Sequence, residues 1–419
     1  MRKRLTVVAA VIAALWFSPG ALAAGWCGGG TETAADRIDL VTGPQEHAIV
    51  AVPSDSPDSF ATRAGQLADD IASMVAWWQG QDPTRVPRWD QAAFGAASCL
   101  DVSFVRLSGS AASYANNGAS SAFARVSAEI ANAGEGNRYK KYLVYFDGPS
   151  VQEDVCGTGG GDFATGPAYA IVWLAGCPGV PTDSVATHEL LHGLGALPAG
   201  APHACSLAQG GSGHPCDSPQ DVLYPYTTGD PLSAQVLDYN HDDYYGHSGN
   251  WLDTQDSLWL HRLDLAQVSL NVAFTGGAGR VQSDEPGVDC TVSCTSAWDQ
   301  GSALSLIALP SRTSRFVRWT GSCTGKGDCT LQLDQSKSAT AVYGPLHVSV
   351  RLAVTGKGHI ACNPKCGKAF SAGDLLTLRA IANKGWRFKG WSGACKSTGP
   401  TCRPPTDYAV SVRATFTRR

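Results

Sequence analysis

Two histidines and a glutamate share one short stretch, Thr187-His188-Glu189-Leu190-Leu191-His192-Gly193-Leu194-Gly195. On a helix, residues four apart stand one above the other, so His188 and His192 can hold one metal ion between their rings. Glu189, beside the first ligand, reaches water rather than metal. Its expected role is general base toward that water and then proton donor to a leaving amine. The spacing implies Zn2+-assisted hydrolysis of a peptide bond in a polypeptide substrate. Such a site needs a third protein ligand, and His203 and His214 are the next histidines along the chain. Tyr224 or Tyr226 could donate a hydrogen bond to the oxyanion of the tetrahedral intermediate. Asn240-His241-Asp242-Asp243 is dense in ligand atoms, but without the glycine-bearing spacing of a calcium loop it reads first as a turn.

These residues need a frame. The apolar spacing of Leu67, Ile71, Met74, Val75 and Trp78 predicts a helix over 61–78, and further helices are expected over 119–133 and 183–194. Apolar runs predict strands over 47–52, 102–107, 142–146 and 168–174. The alternation of strands and helices implies an α/β (α+β) domain with a mixed sheet over residues 24–264. Thr182 or Asp183 is placed to cap the active helix, and Gly195 to let the chain turn away from it.

The opening residues combine a basic start, an apolar run and Pro19-Gly20-Ala21-Leu22-Ala23-Ala24, the plan of a secretory signal peptide over 1–23. No stretch of the mature chain reaches the roughly 20 apolar residues of a membrane helix. Fourteen cysteines suit an exported, oxidised protein. Cys27, Cys99, Cys156, Cys177, Cys205 and Cys216 precede residue 220, and the other eight follow residue 289, an even number in each part. The expected early bridges are Cys27 to Cys99, Cys156 to Cys177 and Cys205 to Cys216. A lipid anchor on Cys27, or a Cys27 thiolate that blocks the metal, is the alternative for that residue. The net charge is mildly acidic, −4. The basic residues concentrate in 346–419, which suits an anionic cell-wall polymer as partner. No nucleic-acid partner is expected.

The tail repeats itself. Phe316-Val317-Arg318-Trp319-Thr320-Gly321-Ser322-Cys323 recurs as Phe388-Lys389-Gly390-Trp391-Ser392-Gly393-Ala394-Cys395. Cys290 and Cys294 recur as Cys362 and Cys366, and Cys329 corresponds to Cys402. With their period-two strand patterning, these units resemble the divergent internalin-type B repeats of bacterial surface and secreted proteins. The resemblance implies two small all-β disulfide-containing modules, 268–344 and 345–419, without catalytic residues.

The stretch from His188 to Gly195 looks like the start of the metzincin signature. Residues 45–262 resemble a group of actinobacterial secreted metzincin-like peptidases through Trp77-Trp78-Gln79-Gly80-Gln81-Asp82-Pro83-Thr84-Arg85, His214-Pro215-Cys216 and Asp221-Val222-Leu223-Tyr224. The resemblance implies a secreted zinc endopeptidase, with the strand over 168–174 as the edge that binds substrate. It departs from the pattern in two places. Pro198 stands where metzincins carry the third ligand, and Leu223 stands where their turn carries methionine, since Met1 and Met74 are the chain's only methionines. In the resembling group a histidine before a cysteine is the steadier feature, which favours His214, whereas nearness in the chain favours His203. Two other readings keep the fold and change the function: a non-catalytic adhesion protein on a protease-like scaffold, and a hydrolase of wall peptides.

Overall fold

The computed structural model describes residues 25–28, 36–196, 200–209, 211, 213–366, 370–406 and 408–419. The signal-peptide reading and Pro198 lie outside the described residues. The chain is mostly β and divides into two compact units, Met1–Asp264 and Leu265–Arg419. Among the described residues no helix is long and apolar enough to cross a membrane.

In the first unit, β1 (Gln45–Val52) is followed by α1 (Phe60–Gln81), the short strands β2 (Arg85–Pro87), β3 (Gln91–Phe94) and β4 (Ala97–Leu100), then β5 (Val102–Arg106). Next come α2 (Ala119–Asn132), β6 (Lys140–Phe146), β7 (Gly157–Gly161), β8 (Ala168–Trp173), α3 (Thr182–Gly193) and β9 (Leu260–Arg262). The central sheet has the order β5-β1-β6-β8-β7, parallel except for β7, which runs antiparallel to β8. The strand over 168–174 is therefore an interior strand, and the edge beside it is β7. Its sequence, Gly-Thr-Gly-Gly-Gly, carries almost none of the branched and aromatic residues that mark a strand.

Both faces of the sheet are covered, which is why its strands read as continuous apolar runs. Ala48, Val50 and Val52 pack with Leu67, Ile71 and Met74 of α1 and with Leu190 and Leu191 of α3. Ile49 and Ala51, on the opposite pleat, pack with Ala122, Val126 and Ile130 of α2. Each such buried Val, Leu, Ile or Met side chain contributes about 1.5–3 kcal/mol relative to exposure. A polar knot ties residues 36–39 to one end of the sheet. Lys140 Nζ lies 2.5 Å from Asp36, 2.6 Å from Asp39 and 2.6 Å from Asp90, and His47 Nδ1 lies 2.7 Å from Asp90 Oδ2. For the His47 imidazole, burial works downward, but the bond to Asp90 and the nearby carboxylates outweigh it and raise the pKa to about 9.

The second unit holds two β-sandwiches. In the first, β10 (Gln267–Thr275), β13 (Cys294–Asp299), β15 (Ser314–Gly321) and β17 (Lys337–Pro345) form one sheet. The other contains β11 (Gly279–Ser283), β12 (Asp289–Cys290), β14 (Ser302–Pro310) and β16 (Cys329–Leu333). Leu270, Trp319, Leu304 and Leu331 fill the core between them. The second copy repeats the plan with β20 (Gly358–Asn363), β22 (Thr377–Ala382), β23 (Trp386–Gly393) and β25 (Val410–Arg418) among its strands.

The recurring octapeptide has a structural reason. Trp319 Nε1 donates to Gly327 O at 3.0 Å, and Trp391 Nε1 donates to Gly399 O at 3.1 Å. Gly321 and Gly393 both have positive φ, +94° and +89°, a region that favours glycine. A side chain at Gly321 would also press on Ser338 O. Each copy closes two bridges, Cys290–Cys294 with Cys323–Cys329 and Cys362–Cys366 with Cys395–Cys402.

Candidate metal centre

α3 presents His188 and His192 one turn apart, as the spacing requires, with Glu189 between them. The helix starts without a side-chain cap: Thr182 Oγ1 donates to Asp70, and Asp183 Oδ1 accepts only from the neighbouring Ser184 amide. It ends at Gly193, and Gly195, at φ +89°, turns the chain away.

The third imidazole comes from a hairpin closed by Cys205–Cys216. Cys205 N donates to His214 O at 2.8 Å and Cys216 N to His203 O at 2.9 Å, so bridge and backbone together fix this hairpin. His192 Nε2 stands 3.2 Å from His188 Nε2 and 3.3 Å from His214 Nε2. His203 does not join them. Its Nδ1 lies 3.2 Å from Asp243 Oδ2 and its main-chain N donates to Asp243 Oδ1.

Beneath His188 runs the turn Asp221-Val222-Leu223-Tyr224. His188 Nδ1 lies 2.8 Å from Val222 O. Because a carbonyl only accepts, Nδ1 carries the proton and Nε2 is left with its lone pair aimed at the other two rings. Asp221 holds the turn: its carboxylate accepts from Leu223 N, Tyr239 N and the Tyr244 hydroxyl. Burial pushes the Asp221 carboxyl up to about 7, with those hydrogen bonds acting against it. Leu223 is fully buried in the core below. Nothing local in the sequence marks Asp221 as the residue that supports the turn under His188, because two of its three partners come from 239 and 244.

The far wall is β7. A Cβ at Gly159 would stand 2.6 Å from both Glu189 O and His192 Cβ, and one at Gly157 would stand 2.5 Å from Glu189 Oε1. Glycine is required there by close approach, since neither residue has positive φ. The cleft between β7, α3 and the hairpin has a volume of about 780 Å3; Phe163, Ala196 and Leu252 supply apolar lining beside Glu189 and His192. Neither Tyr224 nor Tyr226 is among the lining residues, and Tyr226 is exposed.

Burial lowers the His188 pKa to about 3 and takes His192 well below the ordinary histidine value, with neighbouring imidazoles adding to both effects. Neutral imidazole is the form that binds a metal. Burial pushes the Glu189 carboxyl up to about 8, opposed by a hydrogen bond from the Gly159 backbone. The donor set fits zinc. Nitrogens bound tetrahedrally at 2.0–2.1 Å stand about 3.3–3.4 Å apart, close to the two separations here.

The six cysteines of the first unit pair as Cys27–Cys99, Cys156–Cys177 and Cys205–Cys216. Cys27 is thus bridged and not a free thiolate.

The tail is a tandem of disulfide-bonded β modules. Its residues 283–345 and 348–419 match the family described as the divergent InlB B-repeat domain, and these two stretches are such domains. No curated protein matches the chain. Among solved structures, the major pilin protein (T-13) of Streptococcus pyogenes serotype GAS131465 is similar over 36% of this chain and 97% of that chain. The identity is 7% and the TM-score 0.18, a likeness too slight to bear on fold or function.

Proposed function

We propose that residues 24–264 form a secreted zinc endopeptidase of metzincin-like type that cleaves polypeptides. The observation that carries this reading is the convergence of His188, His192 and His214, with His192 Nε2 3.2 Å and 3.3 Å from the Nε2 atoms of the other two, beside a buried glutamate. His188, His192 and His214 would hold the zinc, and the Val222 carbonyl fixes the tautomer of the first. Bound zinc supplies Lewis acidity, polarising the scissile carbonyl and making water more acidic.

Glu189 takes a proton from the attacking water and delivers it to the leaving amine. Burial, which raises its pKa, favours the proton-holding form that the second transfer needs. β7, as the sheet edge, offers main-chain groups to an extended substrate, and its glycines let that substrate lie close to α3. Leu223 takes the place of the metzincin methionine as a roughly volume-matched apolar support. The basic surface of 346–419 holds the enzyme near anionic wall polymer.

The test is Glu189→Gln. Zinc content should remain at one per chain while casein hydrolysis falls about 10²–10⁴-fold. A variant as fast as the parent, or a parent that binds no zinc when supplied with it, overturns the reading.

A further inference from the structure

The two tail modules share strands, bridges and the bond from tryptophan to carbonyl, yet their charges differ. Residues 268–344 carry six Lys and Arg against six Asp and Glu, whereas 345–419 carry thirteen against two. The first module shows that this fold needs no excess of either sign. Cations crowded on one small module repel one another, so the excess works against the fold and asks for a partner.

In the second module β25 is flanked by β19 (Val350–Thr355), parallel to it, and by β23, antiparallel. Val410, Val412, Ala414 and Phe416 of β25 point into the core, so the alternate pleat faces outward. On that outer face Arg351 stands opposite Ser411, Arg413 opposite Ala353 and Ser392, and Arg387 opposite Thr417. Lys389 sits in the β-bulge between Phe388 and Gly390, level with Thr415 and Phe416. All four side chains are exposed. Their levels ascend β25 from 411 to 417, which strings them along about 20 Å. Arg413 Nη1 donates to Thr355 Oγ1 at 3.1 Å, which holds its guanidinium on the face. Among the described residues this face carries no carboxylate, and Asp374, the module's described acid, accepts from Ser371 N.

The first module lacks this row. By the same strand pairing and the same bulge, Arg351, Lys389 and Arg413 correspond to Asn271, Val317 and Thr340. Arg315 keeps the place of Arg387, and Arg318 stands where the second module has Gly390. Without a side chain at 390, a groove of about 650 Å3 opens there, lined by Lys389, Lys396, Thr398 and Thr415 among others.

We propose that Arg351, Arg387, Lys389 and Arg413 form a track on the outer face of β19, β25 and β23 that binds a linear, phosphodiester-linked cell-wall polymer. A compact anion meets one or two of these cations, whereas a chain of repeating charge meets them all. Arginine's planar fork grips phosphate oxygens in pairs, and the hydroxyls of Ser411, Thr415 and Thr417 supply further donors between the charges. The groove at Gly390 leaves room for the uncharged link between two phosphates. The track rests on the wall-binding role given to the tail above, and it does not depend on the peptidase reading.

The experiment uses the full chain with poly(glycerol phosphate) as the probe, and zinc content and casein hydrolysis are measured on the same samples. The combined variant Arg351→Gln, Arg387→Gln and Arg413→Gln should bind at least about tenfold more weakly than the parent, since one cation beside an anionic surface is worth about fivefold. The charge-matched control is Lys365→Gln, Arg379→Gln and Arg403→Gln. Arg379 faces outward from β22, opposite Ala361 and Thr401, and Lys365 and Arg403 follow β20 and β24 (Thr401–Cys402) of that other sheet. This control should bind like the parent, with both variants melting at the parent's temperature, as exposed substitutions do. Arg413→Lys, which keeps the charge and loses the fork, should fall between parent and Arg413→Gln. A parent that ignores the polymer at low salt, a control as weak as the track variant, or tighter binding to duplex DNA than to the polymer overturns the proposal. Polymer binding by a chain that takes up no zinc would sink the peptidase reading and leave the track standing, and a zinc-loaded, casein-cleaving chain that ignores the polymer would do the reverse.

Discussion

Replacing Gly159 with alanine tests whether β7 must approach α3 as closely as the cleft implies. The backbone at 159 has no positive φ, so alanine fits locally and, by restricting the unfolded chain, contributes about 0.4–1 kcal/mol of stability. The new methyl, however, would stand 2.6 Å from Glu189 O and from His192 Cβ. Neither atom is the free end of a flexible side chain, so strand and helix must separate by about 1 Å to restore ordinary contact. Overpacking of that kind costs about 1–3 kcal/mol, which outweighs the entropic gain. A displacement of 1 Å at the chemistry costs about 10²-fold in rate. The control is Gly160→Ala, whose methyl would face the Phe123 ring at 3.3 Å on the other pleat. Urea unfolding should place Gly159→Ala below both parent and control. With zinc content matched, its kcat/KM on a peptide should fall about 10²-fold while the control stays near parent. If Gly159→Ala equals Gly160→Ala in both assays, the close approach of β7 to the helix is not what shapes this cleft.

The third ligand is separable by a pair of variants. His214→Ala should lower zinc affinity by more than the about 10–100-fold that loss of an outer-shell partner costs, whereas His203→Ala should retain zinc against a competing chelator; the reverse order contradicts the assignment. A pH prediction comes from Glu46, wholly buried, whose carboxyl burial pushes up from 4.5 to about 8 with Lys141 pulling the other way. Between those values the folded state keeps a proton that the unfolded chain has released, so stability falls as pH rises, by up to about 1.4 kcal/mol per unit. Lys141, lowered by burial from 10.5 to about 8, acts above that window and with the opposite sign. Glu46→Gln should flatten the decline between pH 4.5 and 8 in urea titrations at stepped pH, and an unchanged slope tells against it.

Much of the frame was legible because its signals are local. The apolar period of α1 predicted 61–78 against an observed Phe60–Gln81, and the apolar runs located four strands of the central sheet. The His188–His192 pair was legible because four-residue spacing is itself a geometry. The edge strand was not, since β7 is defined by side chains it must lack, and absence has no period. Nor does the sequence tell that His214 rather than His203 lies beside the pair, because that placement follows the path of a disulfide-closed hairpin. The knot of His47, Asp90, Ser103 and Lys140 was equally invisible. His47 meets Asp90 and Ser103 across 43 and 56 residues, with no motif joining them.

In each tail module the buried tryptophan reaches for a carbonyl only eight residues further on. A unit whose keystone is found so near along the chain can be copied, lost or exchanged without altering its neighbour's interior. The seam between the two modules includes the backbone bond from Leu346 N to Thr313 O. Copy number, rather than the tailoring of any single module, is then the quantity that sets how long such a tail becomes.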